Sequence, residues 1–303
     1  MGGSMTIRLG VIGMSPGNGH PYSWSAICNG YNAVEMQSCG FPVIPDYLAQ
    51  QNWPAARLPG VEVTHVWTQD RSLSKHIASA ALIPNVVDQP DQMLGHIDAL
   101  LLARDDAANH QNFAEPFLRA GLPIYIDKPV ALNLASFDSL YSLQSRPGQI
   151  FSCSALRFAA EMRLSIDDHE RIGKPRLITG TISKYWETYG IHLIDPLLMY
   201  IGHHHSPQRL FSAPVASDGR VLGLRFGEEG PDVVLTTLGS KCLGPAELCF
   251  YGETGWSTLT FLDSFSAFRA ALAEFLKHVR LDCRVDSQNF NRRAVEILEM
   301  GRI

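Results

Sequence analysis

The sequence predicts an α/β protein: a doubly wound parallel sheet over the first half, followed by a second domain built on antiparallel strands. Three observations predict it. Strand-like and helix-like segments alternate through the first 150 residues, the strand runs there are almost wholly apolar, and the segments after residue 175 become short strands separated by Gly, Pro and Asp. A chain of 303 residues has room for two domains at roughly 150 residues each. The expected boundaries are 5–150 and 151–303, with Met5 as the natural start and Met1–Ser4 as an expression remnant.

Ile7–Met14 (IRLGVIGM) reads as a buried strand running into small residues, and SWSAICNGYN begins a helix behind it. Residues 41–60 carry four prolines and are expected to form a long loop. Val61–Asp70 alternates as a strand and leads to the helix SLSKHIASAA; Ile97–Asp106 is a strand with a polar end. NHQNFAEPFLRAG is a helix closed by Gly121, in which Pro116 should cause a kink or displace the start. The next strand, Leu122–Asp127, ends on a charged pair. Repeated units of this kind give a parallel sheet covered on both faces, and ligands bind beyond the carboxyl ends of its strands. Lys128 stands at one of those ends.

In the second half, KPRLITGTISKY, GRVLGLRFG, DVVLTTLGS, AELCFYGETG and STLTFLD are expected strands. DPLLMYIG and SAFRAALAEFLKHVR are expected helices, the latter with Phe268, Leu272, Phe275, Leu276 and Val279 on one apolar face.

A net charge of −5 and the absence of a Lys/Arg run argue against nucleic-acid and anionic-membrane partners. No apolar run reaches the roughly 18 residues of a membrane span, and no signal peptide precedes the first strand, so a cytoplasmic location is expected. The six cysteines form no C-x-x-C pair and read as mostly buried thiols. His203–His205 are adjacent and cannot all face one ion, so no metal is expected. No Ser or Cys lies in a strained nucleophile elbow, which disfavours hydrolase chemistry.

The segment GMSPGNGHPYSW (Gly13–Trp24) follows the first strand. A dinucleotide fold needs glycines there because the backbone turns tightly against the pyrophosphate. The G-x-G-x-x-G pattern is broken: Ser15 and Asn18 fill its second and third glycine positions, while Gly17 and Gly19 offer a shifted frame. A glycine-rich turn with no ligand is the competing reading. Asp70 follows the second strand where a ribose partner would sit, at more than the usual spacing of about 20 residues, which the 41–60 insertion explains. Thr68 competes for that position and Arg71 could meet a 2′-phosphate, so NAD and NADP both stay open. Trp24, Tyr22 and Trp67 are candidates to stack on adenine or a sugar ring.

The run from Ile97 to Asn133 resembles the Gfo/Idh/MocA family. It has a strand, a loop ending in His110, a helix closing at Ala120–Gly121, another strand, and Asp127-Lys128-Pro129 where the family has Glu-Lys-Pro. Leu156–Phe158, IGKPRLITG, Gly190–Gly202 and the helix from Phe265 to Val279 carry the resemblance across most of the chain. It implies a Rossmann domain followed by an α/β domain with an open, mostly antiparallel sheet. It also implies NAD(P)-dependent hydride transfer on a sugar, polyol or sugar derivative, in a homodimer or homotetramer.

By position in that family, Lys128 reaches nicotinamide and the substrate hydroxyl, and His192 is the acid or base. Hydride loss from an alcohol carbon requires a positioned proton acceptor, and these two side chains can serve near neutrality. Asp195, three residues on, is expected to orient the imidazole. Arg157, Trp186, Asp195 and Tyr185 are expected substrate contacts. His20, Arg104, His110 and Asp127 join Gly13, Ser15, Gly17, Asn18, Thr68, Asp70, Arg71 and Lys128 as expected cofactor contacts. Thr188 stands where many relatives carry Asp. Together with the broken glycine pattern, it keeps a non-catalytic dinucleotide- or sugar-binding sensor as the alternative.

Overall fold

A computed structural model describes residues 6–280 and 287–302. The proposed start at Met5, its preceding four residues and Cys283 lie outside them. The chain forms two compact units: the first takes in residues 6–127, 138–152 and 271–280, and the second 128–137, 153–270 and 287–302.

In the first unit, β1 (Ile7–Ile12), β2 (Val61–Trp67), β3 (Asn85–Val86), β4 (Ala99–Leu102), β5 (Ile124–Ile126) and β6 (Ile150–Phe151) form one sheet. Its order is β3-β2-β1-β4-β5-β6, parallel throughout, which is the Rossmann topology. All residues of β4 and β5 are buried, as a strand covered on both faces must be. The order reverses between β1 and β4, so the loops that follow these two strands border the crevice where such sheets bind ligands. Tyr125, Phe151 and Phe275 close the core beside β5, with Phe275 at 5.6 Å from Tyr125 and 5.7 Å from Phe151.

Residues 41–60 are not one long loop. Val43–Ala49 is a helix, with Pro42 as its N-cap and Pro45 in its first turn. Prolines are tolerated there because first-turn N–H groups have no intrahelical acceptor. Ile44 and Leu48 are its buried face, and Leu48 accepts a hydrogen bond from Trp53 Nε1 at 2.8 Å. The helix His110–Arg119 continues through Pro116 to its expected end.

The second unit holds β7 (Pro175–Ile182), β8 (Pro207–Val215), β9 (Gly219–Phe226), β10 (Asp232–Thr237), β11 (Glu247–Gly252) and β12 (Trp256–Thr260). They run in the order β12-β11-β7-β10-β9-β8. All pairs are antiparallel except β7 with β10. Leu193, Ile194, Leu197 and Leu198 of the helix Ile191–Ile201 are buried, and Leu193 Cδ2 reaches over Gly180 of β7, the sheet's central strand. On the strands, Leu248 and Phe250 are buried while Tyr251 and Trp256 are 43% and 63% exposed, leaving one face open. Strand β8 was not legible: Gln208 to Phe211 are all exposed, so it has no apolar alternation, and its two prolines suit an edge.

Of the cysteines, Cys28, Cys39 and Cys153 are buried, Cys249 is half-buried and Cys242 is exposed. Burial pushes the Cys28 thiol up to about 12. Among the described residues no group of His, Cys, Asp or Glu could hold a metal ion, and no helix is long and apolar enough to cross a membrane.

Candidate active site

The strand ends of the first unit converge a set of polar side chains. Asp127, 1% exposed, ends β5; its Oδ2 accepts from Asn18 Nδ2 at 2.7 Å and meets His20 Nδ1 at 2.6 Å. His20 stacks on the buried Trp24 at 4.8 Å between ring centroids, and Trp24 stacks in turn on Tyr125 at 4.6 Å. Trp24 and Tyr22 are each 1% exposed, so neither is available to adenine; they pack the core. Ser15 Oγ donates to Asp105 Oδ1 at 2.5 Å and accepts from Asp105 N at 3.1 Å, which ties the loop after β1 to the loop after β4. Gln69 clamps Met14 on the other side, donating to its O at 2.7 Å and accepting from its N at 3.2 Å. The reversal crevice is therefore laced by side chains.

Arg104 forks onto Asp106, also donates to Gln69 at 3.0 Å, and lies 4.7 Å above the Phe113 ring. Burial raises the Asp106 carboxyl, but Arg104 and Asn109 outweigh it and hold it below its usual range. His110 is fully buried, with Nε2 2.7 Å from Arg104 O. Thr68 is buried and donates to Asp70 O at 2.6 Å; Asp70 Oδ1 caps the helix Arg71–Ala80 by accepting from Ser72 N and Leu73 N. Arg71 pairs with Asp88. These expected cofactor contacts are thus occupied by one another or by helix capping.

The fit to a dinucleotide rests on backbone donors. At the start of the helix His20–Asn29, His20 N is bonded to Asn18 Oδ1, Pro21 has none to give, and Tyr22 N and Ser23 N both reach Gly19 O. That first turn has no donor to spare for a pyrophosphate. Among the described residues, the N–H groups of Ser15, Gly17 and Gly19 in the preceding loop carry no hydrogen bond. Gly17 has φ +80 with nothing within 4 Å of where a Cβ would lie, whereas a Cβ on Gly13 would come within 2.4 Å of Pro21. The residues fit the group if the loop, rather than the helix end, supplies its donors.

The catalytic candidates fall in the second unit, which the chain enters at Lys128. Lys128 is 6% exposed and precedes a cis bond to Pro129. Its Nζ lies 5.6 Å from the centre of the Tyr189 ring, and the His192 ring lies 5.3 Å from the same ring. The helix Ile191–Ile201 carries His192, whose Nδ1 is 2.7 Å from Ser154 Oγ.

Asp195 does not orient that imidazole as expected. Its carboxylate takes the Ser154 N–H and the Arg157 guanidinium, the latter at 2.6 Å from Nε, because both reach the buried inner side of the helix where Asp195 is 1% exposed. Burial pushes the Asp195 carboxyl up, against the pull of Arg157. Ser154 stands in the orienting place instead, touching Asp195 through its backbone and His192 through its hydroxyl. Arg157 is held by Asp195 and by the Phe290 face at 3.9 Å, which removes it as an expected substrate contact. Trp186 is removed likewise: it is 1% exposed, donates from Nε1 to Leu298 O at 2.8 Å, and packs on Gly301. Tyr185 remains 45% exposed. Ser154, Tyr189 and Lys184 were missed; Tyr189, three residues before His192, was the one with a signal in helical spacing.

A cavity of about 670 Å³, lined by apolar residues such as Ile172, Ile178, Phe226 and Phe250, lies in the second unit and includes none of the expected site residues.

Residues 43–154 match the model of an oxidoreductase family with an NAD-binding Rossmann fold, Gfo/Idh/MocA. Over this segment the chain is similar to the Gfo/Idh/MocA family. The match spans Lys128 and begins after the Gly13–Gly19 loop, the part that departs most from the pattern. No curated protein matches the chain. Among solved structures, a probable dehydrogenase from Thermotoga maritima is 14% identical, with 98% of this chain and 97% of that one covered and a TM-score of 0.73. A myo-inositol 2-dehydrogenase from Lactobacillus plantarum is 14% identical over 98% and 96%, with a TM-score of 0.72. A 3-ketoreductase from Actinomadura kijaniata, solved with NADP and TDP-benzene, is 14% identical over 98% and 97%, at 0.73. At such identities the likeness establishes the fold over nearly the whole chain, both units included.

Proposed function

We propose that the protein is an NAD(P)-dependent oxidoreductase that moves a hydride between nicotinamide and a hydroxyl or keto carbon of a sugar, polyol or sugar derivative. The observation that carries this reading is the ring of Tyr189, flanked by the Lys128 ammonium at 5.6 Å and the His192 imidazole at 5.3 Å. A lysine and a histidine gathered on one ring, inside an oxidoreductase-family framework, are the groups that alcohol oxidation needs. Two solved proteins of this fold, an inositol dehydrogenase and a 3-ketoreductase, support this reading.

Bound dinucleotide would supply the hydride acceptor or donor, and the unbonded loop N–H groups of Ser15, Gly17 and Gly19 would hold its pyrophosphate. In this reading, Lys128 Nζ donates a hydrogen bond to the reacting oxygen and stabilises charge that develops there. The His192 imidazole takes the hydroxyl proton in oxidation and returns it in reduction. Ser154 Oγ on Nδ1 fixes the ring's orientation, the part a carboxylate commonly plays. Oligomerisation through the open face of the second sheet belongs to the same reading, supported by exposed Tyr251 and Trp256.

A second reading, a dinucleotide- or sugar-binding sensor, is favoured by the laced crevice and the spent helix N-terminus. Titrating NADH and NADPH separately against the melting temperature tests both, since a ligand bound only by the folded state stabilises it by mass action, about 2.7 kcal/mol at 100 times its Kd. We expect a shift with one of the two. Lys128→Ala should keep that shift and lose at least about 100-fold in turnover on a sugar and polyol panel. Unchanged turnover in that variant would overturn the mechanism, and no shift with either cofactor would overturn dinucleotide binding.

A further inference from the structure

We propose that Lys184 and Tyr189 form an oxyanion seat for the substrate, so that the preferred substrate is a sugar or polyol derivative carrying a carboxylate or phosphate. This rests on the reading of the Lys128–His192 site as the place where substrate binds. Lys184 Nζ donates to Tyr189 Oη at 2.5 Å and lies 4.5 Å from the centre of the same ring that Lys128 flanks. One side chain thus gathers two ammonium groups and an imidazole.

The donor inventory is unbalanced. An ammonium has three protons, and Lys184 spends one on Tyr189; Tyr189 Oη accepts that bond and keeps its own proton to give. Among the described residues, Lys184 has no carboxylate partner, and Glu187, the acidic residue closest to it in sequence, makes no ion pair with it. A carboxylate or phosphate oxygen at the Lys184–Tyr189 pair would meet an ammonium donor and a hydroxyl donor together.

The backbone gives an independent reason. Lys184 has φ 71, in the left-handed region that side chains avoid, and both its N–H and its C=O are bonded to Gly239 at 3.0 Å. A two-bond bridge therefore holds a lysine where a glycine would be unstrained, and such held outliers concentrate at ligand sites.

The test is calorimetric titration of the full chain, saturated with whichever of NADH or NADPH it binds, using D-glucuronate, D-glucose 6-phosphate and D-glucose. We expect at least one charged probe to bind about 10-fold or more tightly than D-glucose, the identity of that probe telling carboxylate from phosphate. Lys184→Gln should abolish the preference and leave D-glucose binding unchanged, Lys184→Arg should keep it, and Tyr189→Phe should weaken it in part. Equal binding of all three probes, no binding of either charged probe, or a preference that survives in Lys184→Gln would overturn the seat. The two proposals fail separately. A Lys184-dependent preference without NAD(P)H turnover overturns the oxidoreductase reading alone, while NAD(P)H turnover of a charged sugar with the same KM in Lys184→Gln as in the wild type overturns the seat alone.

Discussion

Asp127 shows what one residue at a strand end can organise. The family pattern has Glu there; the shorter Asp, 1% exposed, still gathers Asn18 at 2.7 Å and His20 at 2.6 Å, fastening the loop after β1 to the end of β5. Truncating it leaves the Asn18 amide, 4% exposed, without that acceptor, so Asp127→Ala should cost about 1–3 kcal/mol. Asp127→Asn, which keeps an acceptor oxygen, should cost less. Urea midpoints with unchanged m-values would check both; equal stability of Asp127→Ala and wild type would mean the cluster is ornamental. Lys128, the next residue, is readable from sequence because an apolar strand ending in a buried charge is a local pattern. The identity of its neighbour Tyr189 is not, since 61 positions separate them and only folding brings the ring under the ammonium.

Elements differ in how far their ends are self-determined. The helix Ile166–Ile172 carries its own start: Ser165 Oγ accepts from Asp168 N at 3.1 Å, and Asp168 Oδ2 accepts from Ser165 N at 3.0 Å and from Ser165 Oγ at 2.7 Å. Those bonds from Ser165, with Ser257 and Arg171 adding to them, hold the Asp168 carboxyl down at about 2 against its ordinary 3.8. A folded-state value below the unfolded one means the contribution is complete above pH 3.8 and is lost as pH falls through 2. Asp168→Asn should therefore be less stable than wild type at pH 6, with the gap closing as pH falls through that window. Urea midpoints of the two proteins between pH 2 and pH 6 measure it, and a gap constant across the series would contradict the capping account. The helix His20–Asn29 is the opposite case. Its first-turn N–H groups are spent on Asn18 and Gly19, and Pro21 has none, so its start is stable while its anion-binding capacity is used up.

At the scale of the whole molecule, the first unit is completed by residues far along the chain. Phe275 is fully buried against Tyr125 and Phe151, and His278 Nε2 meets Gly148 O. A fragment ending at residue 152 would expose both aromatic rings, each of which stabilises by roughly 1.5–3 kcal/mol when buried. We expect that fragment to unfold in urea without the sharp transition of the full chain and to bind a hydrophobic dye; a cooperative transition in the fragment would show that residues 271–280 are dispensable. The sequence by itself determined β1, β2, β4 and β5 of the parallel sheet, the strand-end position of Lys128 and the mostly antiparallel second sheet, because each is written in a period or a run that neighbours along the chain share, whereas the two-residue strands β3 and β6 and the helix Val43–Ala49 are too short or too proline-rich to show one. Tertiary structure alone decided that Asp195 serves Arg157 and Ser154 rather than His192, that Trp24 and Trp186 are core, that β7 and β10 run parallel, and that Lys184 meets Tyr189. A polar or aromatic side chain has several partners of equal chemistry within reach of its sequence pattern, and only the packed fold chooses among them.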